Sequence, residues 1–360
     1  MSEHDRRTPG PVNRRVMVIG AGISGITAAL ELAGLGISVT LIEKEASIGG
    51  LAASFCCKAA ERCNKCFACV VDKRIMDIKN CPDVTILTQT VLAGLKGDSG
   101  AYLAILDNAG RILELEVAAL VVAAGIDPYD AALKGEYGYG YLKNVITARD
   151  LEVMIRERGD ILRPSDGIRP QIIAFFQCVG SRDQAAGNLY CSQVCCAYAL
   201  RLIRLIRYNY PDITIAFYYM DIQPAGVHFA EFLGRCREDR NIRFIRSIPS
   251  KVYHAPATDS LRVKFAGAGQ GDVSEENFDM VILSVGMTVK KEAISITDIL
   301  HMGFDEDRFI DDSEAREGIF AAGACTGPKD IEGSAIQAKS TALNVYRYLM
   351  SSEVVAKGLH

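Results

Sequence analysis

The stretch Val16-Met17-Val18-Ile19-Gly20-Ala21-Gly22-Ile23-Ser24-Gly25 decides the fold. Its first four residues are an apolar run of strand length, and apolar residues then recur at helical spacing from Ile23 to Leu35. The glycines therefore stand at a strand-to-helix turn. There Gly20 permits the tight turn, Gly22 lets a pyrophosphate approach the backbone, and Gly25 lets helix and strand pack closely. The helix aims its unpaired N–H groups at the phosphates. Ile37 to Ile42 reads as the next strand, and Glu43 at its end lies 18 residues past Gly25, where a carboxylate can take ribose hydroxyls. A glycine-rich turn without a ligand would not need this context. The reading is a dinucleotide-binding βαβ unit, for FAD or NAD.

Composition supports it. With 360 residues, 49% hydrophobic and 23% charged, the chain can bury one large core or two, and disorder or a coiled coil is excluded. A net charge of -4 without a long basic run argues against nucleic acid. The longest uncharged run, Val16 to Leu30, is fifteen residues, short of the roughly 18 that cross a bilayer. It follows Arg14-Arg15 as an export signal would, but its glycines have their own reading and no small-residue cleavage site follows. No membrane span and a cytoplasmic location are expected. Reduced thiols are the rule there, so twelve cysteines suggest metal or redox chemistry.

Residues 1–14 read as a frayed tail, and 126–147 as a connection between domains. A second α/β pattern follows: a strand at Gln171–Phe176, a helix at Tyr190–Tyr208, a strand at Ile213–Tyr218, a helix at Val227–Arg240 and a strand at Ile242–Ile245. The expected domains are 15–147, with a cysteine-rich insertion at 54–82; an inserted domain at 148–267; and a return to the first domain at 268–350. Where a second glycine loop would lie, Phe175-Phe-Gln-Cys178-Val-Gly180-Ser181 keeps one glycine, so a pyridine nucleotide has no pyrophosphate cradle. Instead come Cys178, Cys191, Cys195 and Cys196, spaced C-x12-C-x3-C-C. On the expected helix Cys191 and Cys195 are one turn apart and face one way, and a helix N-terminus favours thiolate. Four thiolates from a loop and a helix start can hold a [4Fe–4S] cluster. Zinc takes the same donors, and isolated cysteines are often small buried hydrophobes.

Further motifs narrow the choice of nucleotide. Glu43-Lys44 followed by Gly49-Gly50-Leu51 resembles the two-dinucleotide-binding-domain flavoproteins, whose Gly-Gly loop runs along FAD. Ala123-Ala124-Gly125 ends a strand as their alanine-threonine-glycine motif does. Gly286 follows the strand Phe278–Ser284, and Ile319-Phe-Ala-Ala-Gly323 is similar to their terminal strand. Ala324 departs, standing where they usually carry Asp on the ribityl hydroxyls. The resemblance implies an α/β, thioredoxin-reductase-like flavoprotein with a second Rossmann-like domain inserted in the FAD domain. It also implies Gln337 and Ala338 near the flavin pyrimidine edge, at the start of a helix from Ile331. Ile23, Ser24, Leu51 and Val91 complete the expected cofactor contacts.

Cys178-Val-Gly-Ser-Arg-Asp183, Tyr190-Cys-Ser-Gln-Val-Cys-Cys196 and Gly323-Ala-Cys-Thr-Gly-Pro-Lys-Asp-Ile331 resemble the A-type flavoprotein subunits of heterodisulfide reductase over about residues 15–350. The long methanogen form of that family has extra ferredoxin-like and cysteine-rich segments that are missing here. The short form is similar to the corresponding subunit of the heterodisulfide-reductase-like complex of sulfur-oxidising bacteria. The resemblance implies FAD and one [4Fe–4S] cluster as electronic neighbours, partner subunits and a homodimer. Many members carry a Lys near the flavin where this chain has Arg201; Arg201, Arg204 and Arg207 can equally be a solvated helix face. Cys63-x2-Cys66-x2-Cys69 and Cys81-Pro82 mimic a ferredoxin run, but the gap to Cys81 is too long for it; a second cluster, free thiols and zinc stay open. Cys56-Cys57 is unassigned, and Cys236 and Cys325 read as structural. No P-loop, HExxH or nucleophile elbow is present, so the expected chemistry is that of the cofactors. The expectation is an electron-transfer oxidoreductase subunit of sulfur or thiol–disulfide metabolism. The rivals are a stand-alone NAD(P)H-dependent disulfide reductase and a non-catalytic assembly protein.

Overall fold

A computed structural model describes residues 15–351 except 224–227, 257 and 268–271. The tail expected at 1–14 lies outside the described residues. Seven helices are described: α1 (Ile23–Gly34), α2 (Ala68–Lys79), α3 (Ala148–Arg158), α4 (Cys195–Asn209), α5 (Phe229–Glu238), α6 (Lys291–Leu300) and α7 (Ile331–Leu349). Among the described residues no helix is long and apolar enough to cross a membrane.

The chain divides into two compact units. The first, in its described residues, comprises 15–53, 69–126 and 289–351. Its sheet is parallel, in the order Ile319–Ala321, Ala119–Val122, Val16–Ile19, Val39–Ile42, Val84–Leu87. The central strands are unbroken apolar runs because both faces are covered. On one face α1 and α7 pack together through small residues, with Ala29 and Ala33 among the core partners of Ala338, Ala342 and Val345. On the other lie α6 and an antiparallel sheet of Thr90–Asp98, Ala101–Asn108 and Arg111–Val117.

The second unit comprises residues 54–68 and 127–288. Its parallel sheet runs Ile242–Ile245, Thr214–Tyr218, Ile172–Val179, Met280–Val285, Val145–Thr147. Helices α3, α4 and α5 cover one face, and the antiparallel strands Pro249–Ala255, Ser260–Ala266 and Val273–Phe278 cover the other. A Thr147–Asp150 capping box starts α3.

This unit is larger than the 148–267 read from sequence, for two reasons. Met280–Val285, expected in the returning first domain, sits in the middle of the second sheet between Ile172–Val179 and Val145–Thr147. The stretch 126–147, expected as a connection, supplies that sheet's edge strand. The cysteine-rich stretch 54–82 is divided as well: 54–68 falls in the second unit, while most of α2 falls in the first.

Candidate functional site

In the first unit the glycine loop is built as its spacing requires. Gly20 has φ +97°, and a Cβ there would crowd the Ala123 carbonyl. A Cβ on Gly25 would overlap the Gly20 carbonyl oxygen, so this glycine is what lets α1 approach its strand. Gly22 differs. Its φ of -77° suits any residue, and a Cβ there would meet no protein atom within 4 Å. Nothing within the protein explains glycine at that position, whereas a phosphate lying against the backbone would. The first turn of α1 carries no acidic residue and no side-chain cap, leaving an N-terminus that suits an anion. Gly50 packs onto the Gly22 Cα, and the Gly49 N–H donates to the Ala21 carbonyl at 2.7 Å, so the Gly-Gly loop folds beside this opening. Leu51 follows, half-buried in a short 3-10 turn.

Glu43 is nearly buried. Its carboxylate accepts the Ala21 N–H at 2.8 Å and the Glu45 N–H at 3.0 Å, which aims it at the loop. Lys44 instead pairs with Glu292 at 2.7 Å. Ala123 donates its N–H to the Ile19 carbonyl, and Ala124 leads into Gly125 at φ +73°. Gly323, at φ +89°, abuts Ser24 in the first turn of α1, where a Cβ would strike the hydroxyl. The Gln337 side chain accepts the Gly323 N–H at 2.9 Å and bonds Thr326, fixing the turn that begins at Ala324. The Lys329 ammonium also reaches Thr326, and burial lowers its pKa. Ser24 and Ile23 are largely buried, and Ala338 is fully buried in the helix pair. Val91 stands 45% exposed on the three-stranded sheet, opposite Asp107. The opening beside Gly22, the uncapped turn and the aimed Glu43 together fit a dinucleotide.

In the second unit Cys178 is next to last in its strand, within a register break and with φ +59°. Helix α4 begins at Cys195, not near Tyr190, so Cys191 is off the helix and cannot share its face. Gln193, at φ +59°, turns the chain before the helix, and its N–H caps the Cys191 sulfur at 3.3 Å. The thiols are nevertheless neighbours. Burial holds Cys178 up to about 12, and Cys196 and Cys191 push the same way. Burial likewise lifts Cys195 well above the usual thiol range, helped by Cys196, Cys178 and Cys191. Burial also raises Cys196. The helix N-terminus does not offset burial, contrary to the expectation of favoured thiolates. Among the described residues no three metal-ligating side chains close on a single ion. A cubane makes a different demand, since its cysteines bind separate irons and stand wider apart. Four soft donors brought near one another, one from a strand end, one from a loop and two from a helix start, fit such a group.

Gly286, expected at the cofactor, lies in this second unit. Ser181 and Ser192 crowd it, and that packing by itself requires glycine. Arg201, Arg204 and Arg207 are not a solvated row: Arg201 bonds the Asn64 carbonyl at 2.9 Å, Arg204 binds Glu61 and Asp239, and Arg207 binds Asp239. Cys236 and Cys325 are fully buried, as structural cysteines should be. Cys81 packs at the edge of the first unit's core, while Cys63 and Cys66 belong to the second unit.

Sequence reading missed a buried polar cluster entirely. Lys58 and Glu152 form an ion pair with each side chain 1% exposed. Glu152 also accepts the Cys56 N–H at 2.7 Å and the Tyr198 hydroxyl. The Lys58 ammonium faces both the Phe55 and Tyr198 rings, 5.1 and 5.2 Å from their centroids. This cluster pins segment 54–68 to α3 and α4. No spacing signals it, because its members come from three separate stretches of chain and those on the helices fall on ordinary helix positions.

Residues 18–73 match the NAD(P)-binding Rossmann-like domain family. Across 96% of its length the chain is 32% identical to an A-type iron-sulfur subunit of CoB–CoM heterodisulfide reductase of Methanopyrus kandleri, covering 66% of that protein. Across 95% it is 28% identical to the A-type subunit of the H(2):CoB-CoM heterodisulfide,ferredoxin reductase of Methanothermobacter marburgensis, covering 65%. The chain thus spans less than two thirds of the length of these relatives. The first alignment runs over 434 positions, more than the 360 residues here, so that relative carries internal segments this chain lacks. The fold matches thioredoxin reductase of Lactococcus lactis with a TM-score of 0.62 at 17% identity, over 95% of this chain and 99% of that one.

Proposed function

Because the chain belongs to the family of A-type heterodisulfide reductase subunits, we propose that it is an oxidoreductase subunit carrying FAD and one [4Fe–4S] cluster. In this reading it transfers electrons together with partner subunits in sulfur or thiol–disulfide metabolism, as a cytoplasmic homodimer. The observation that carries the reading is the exchange at the end of Ile172–Val179: four neighbouring cysteines occur where a pyridine-nucleotide loop would. When bound, FAD supplies two-electron chemistry that can be divided into single electrons, and the cluster supplies one-electron transfer.

The chain's own residues bind and orient. Gly22 and the first N–H groups of α1 receive the pyrophosphate, and Glu43 takes ribose hydroxyls. Gln337 holds the Gly323 turn against Ser24, and the N-terminus of α7 brings partial positive charge to that side of the unit. Cys178, Cys191, Cys195 and Cys196 ligate the cluster; burial of Cys195 and Cys196 keeps water from that side of it. The deciding experiment is iron and acid-labile sulfide per flavin on anaerobically purified chain. About four of each fits one cubane. About eight adds a second cluster, and near-zero iron after anaerobic reconstitution overturns the reading.

A further inference from the structure

Two opposite charges stand beside the four thiols without being ligands. After Cys178 the chain reverses, with the Ser181 N–H donating to the Cys178 carbonyl at 3.2 Å. Arg182 then adopts φ +56°, a conformation that costs a non-glycine residue energy and persists only where its surroundings enforce it. The enforcement is visible. The Arg182 N–H donates to the Tyr190 carbonyl at 3.0 Å, and the Ser181 hydroxyl donates to the same oxygen at 2.9 Å. The Ser192 N–H and hydroxyl reach the Ser181 hydroxyl at 3.0 Å, and the Met287 N–H closes on Ser192 at 2.8 Å. The backbone that carries Arg182 is therefore fixed relative to the loops that carry Cys178 and Cys191.

The Arg182 guanidinium pairs with the Asp221 carboxylate, which also accepts the Gln223 side-chain N–H at 2.9 Å. The Asp221 carbonyl lies 4.0 Å from the Cys196 sulfur and accepts its weak S–H bond. The pair is thus anchored against the cysteine-bearing chain from two sides: Asp221 lies beside Cys196, and Arg182 is held between the turn after Cys178 and the residue before Cys191.

We propose that Arg182 and Asp221 are an opposed charge pair that sets the reduction potential of the cluster bound at Cys178, Cys191, Cys195 and Cys196. The proposal rests on the cluster assignment above. Reduction adds one negative charge to the group. A neighbouring cation favours the reduced state and a neighbouring anion disfavours it, with force undiminished by ligation because neither residue is a ligand. The potential would then be a small difference between two larger effects, adjustable by substituting either residue.

The test is a potentiometric titration of the cluster by EPR in the full, flavin-loaded chain, with iron counted beforehand. Arg182→Gln should make reduction harder and Asp221→Asn easier. Each is expected to change the reduction equilibrium on the order of tenfold, about 59 mV for one electron. The double variant should return towards wild type, and Arg182→Lys, which keeps the charge, should stay near it. Shifts of the same sign, or no shift in a chain holding four irons, overturn the proposal, because a merely structural ion pair would disturb the loop alike from either end. Loss of iron in the single variants but not in wild type assigns the pair a structural role and also overturns it. A wild-type chain without iron fails the cluster assignment itself, and is recognised by that count before any titration.

Discussion

Replacing Glu152 by Gln tests the buried cluster of the second unit. The substitution keeps the shape and removes one charge from a pair whose side chains are each 1% exposed. It leaves the Lys58 ammonium among Phe55, Tyr198 and the Cys56 carbonyl. The intact pair gains little over an apolar core, since desolvation offsets most of its attraction. A surviving single charge has the desolvation cost and no opposite charge beside it, so the loss should be about 3–5 kcal/mol. Against a total of about 5–15 kcal/mol that is a severe effect. Removing both charges, in Lys58→Met with Glu152→Gln, should recover much of it, giving a large coupling energy in the double-mutant cycle. Urea unfolding of the anaerobic chain followed by far-UV circular dichroism measures all four species. A second readout is local. Burial, and next the Glu152 charge, hold Cys56 up to about 11, so Cys56 should alkylate faster at pH 8 in Glu152→Gln. A loss below about 1 kcal/mol in Glu152→Gln, or a double variant worse than both singles, would refute the reasoning.

Four other outcomes are expected. Gly22→Ala places its Cβ in open space, so the flavin-free chain should keep its stability within about 0.5 kcal/mol while FAD content after reconstitution falls. Gly25→Ala, whose Cβ overlaps the Gly20 carbonyl, should lose about 1–3 kcal/mol with or without flavin; equal behaviour of the two variants would count against the reading of Gly22. Burial raises Cys178 and Cys236 to about 12, so above pH 9 the unfolded chain releases these protons first. The iron-free chain should therefore lose stability as pH rises from 9 towards 12, seen as a falling urea midpoint. Since ligation needs thiolates, loading iron should release protons and become more favourable as pH rises over the same range, measurable by calorimetry in buffers of different ionisation enthalpy.

The first unit was legible because its signals are local. Gly20, Gly22 and Gly25 answer to backbone geometry within a few residues, and the strand Ile319–Ala321 and the helix from Ile331 read correctly from periodicity. The nearness of the four cysteines was legible in their spacing, but their conformation was not. Counting residues predicts one helical face for Cys191 and Cys195, and the left-handed turn at Gln193 defeats that count. The domain limits failed for a related reason. Met280–Val285 reads as an apolar strand in any sheet, and only pairing with Ile172–Val179 decides which one. Arg201, Arg204 and Arg207 look solvated until Asn64, Glu61 and Asp239 come to meet them from distant positions. Helices α2, α3 and α6, and the strand Thr90–Asp98, escaped notice because polar residues dilute their patterns.

Of the ten non-glycine residues with positive φ among those described, Lys65, Phe67, Arg182 and Gln193 lie in cysteine-bearing loops, and Cys178 itself is next to last in its strand. Each such residue holds conformational energy of order 1 kcal/mol in the folded chain. Relieving one of them does not require unbending the chain. Glycine at position 193 would keep the same turn and remove its conformational cost, so the iron-free protein should gain up to about 1 kcal/mol with its loop path unchanged.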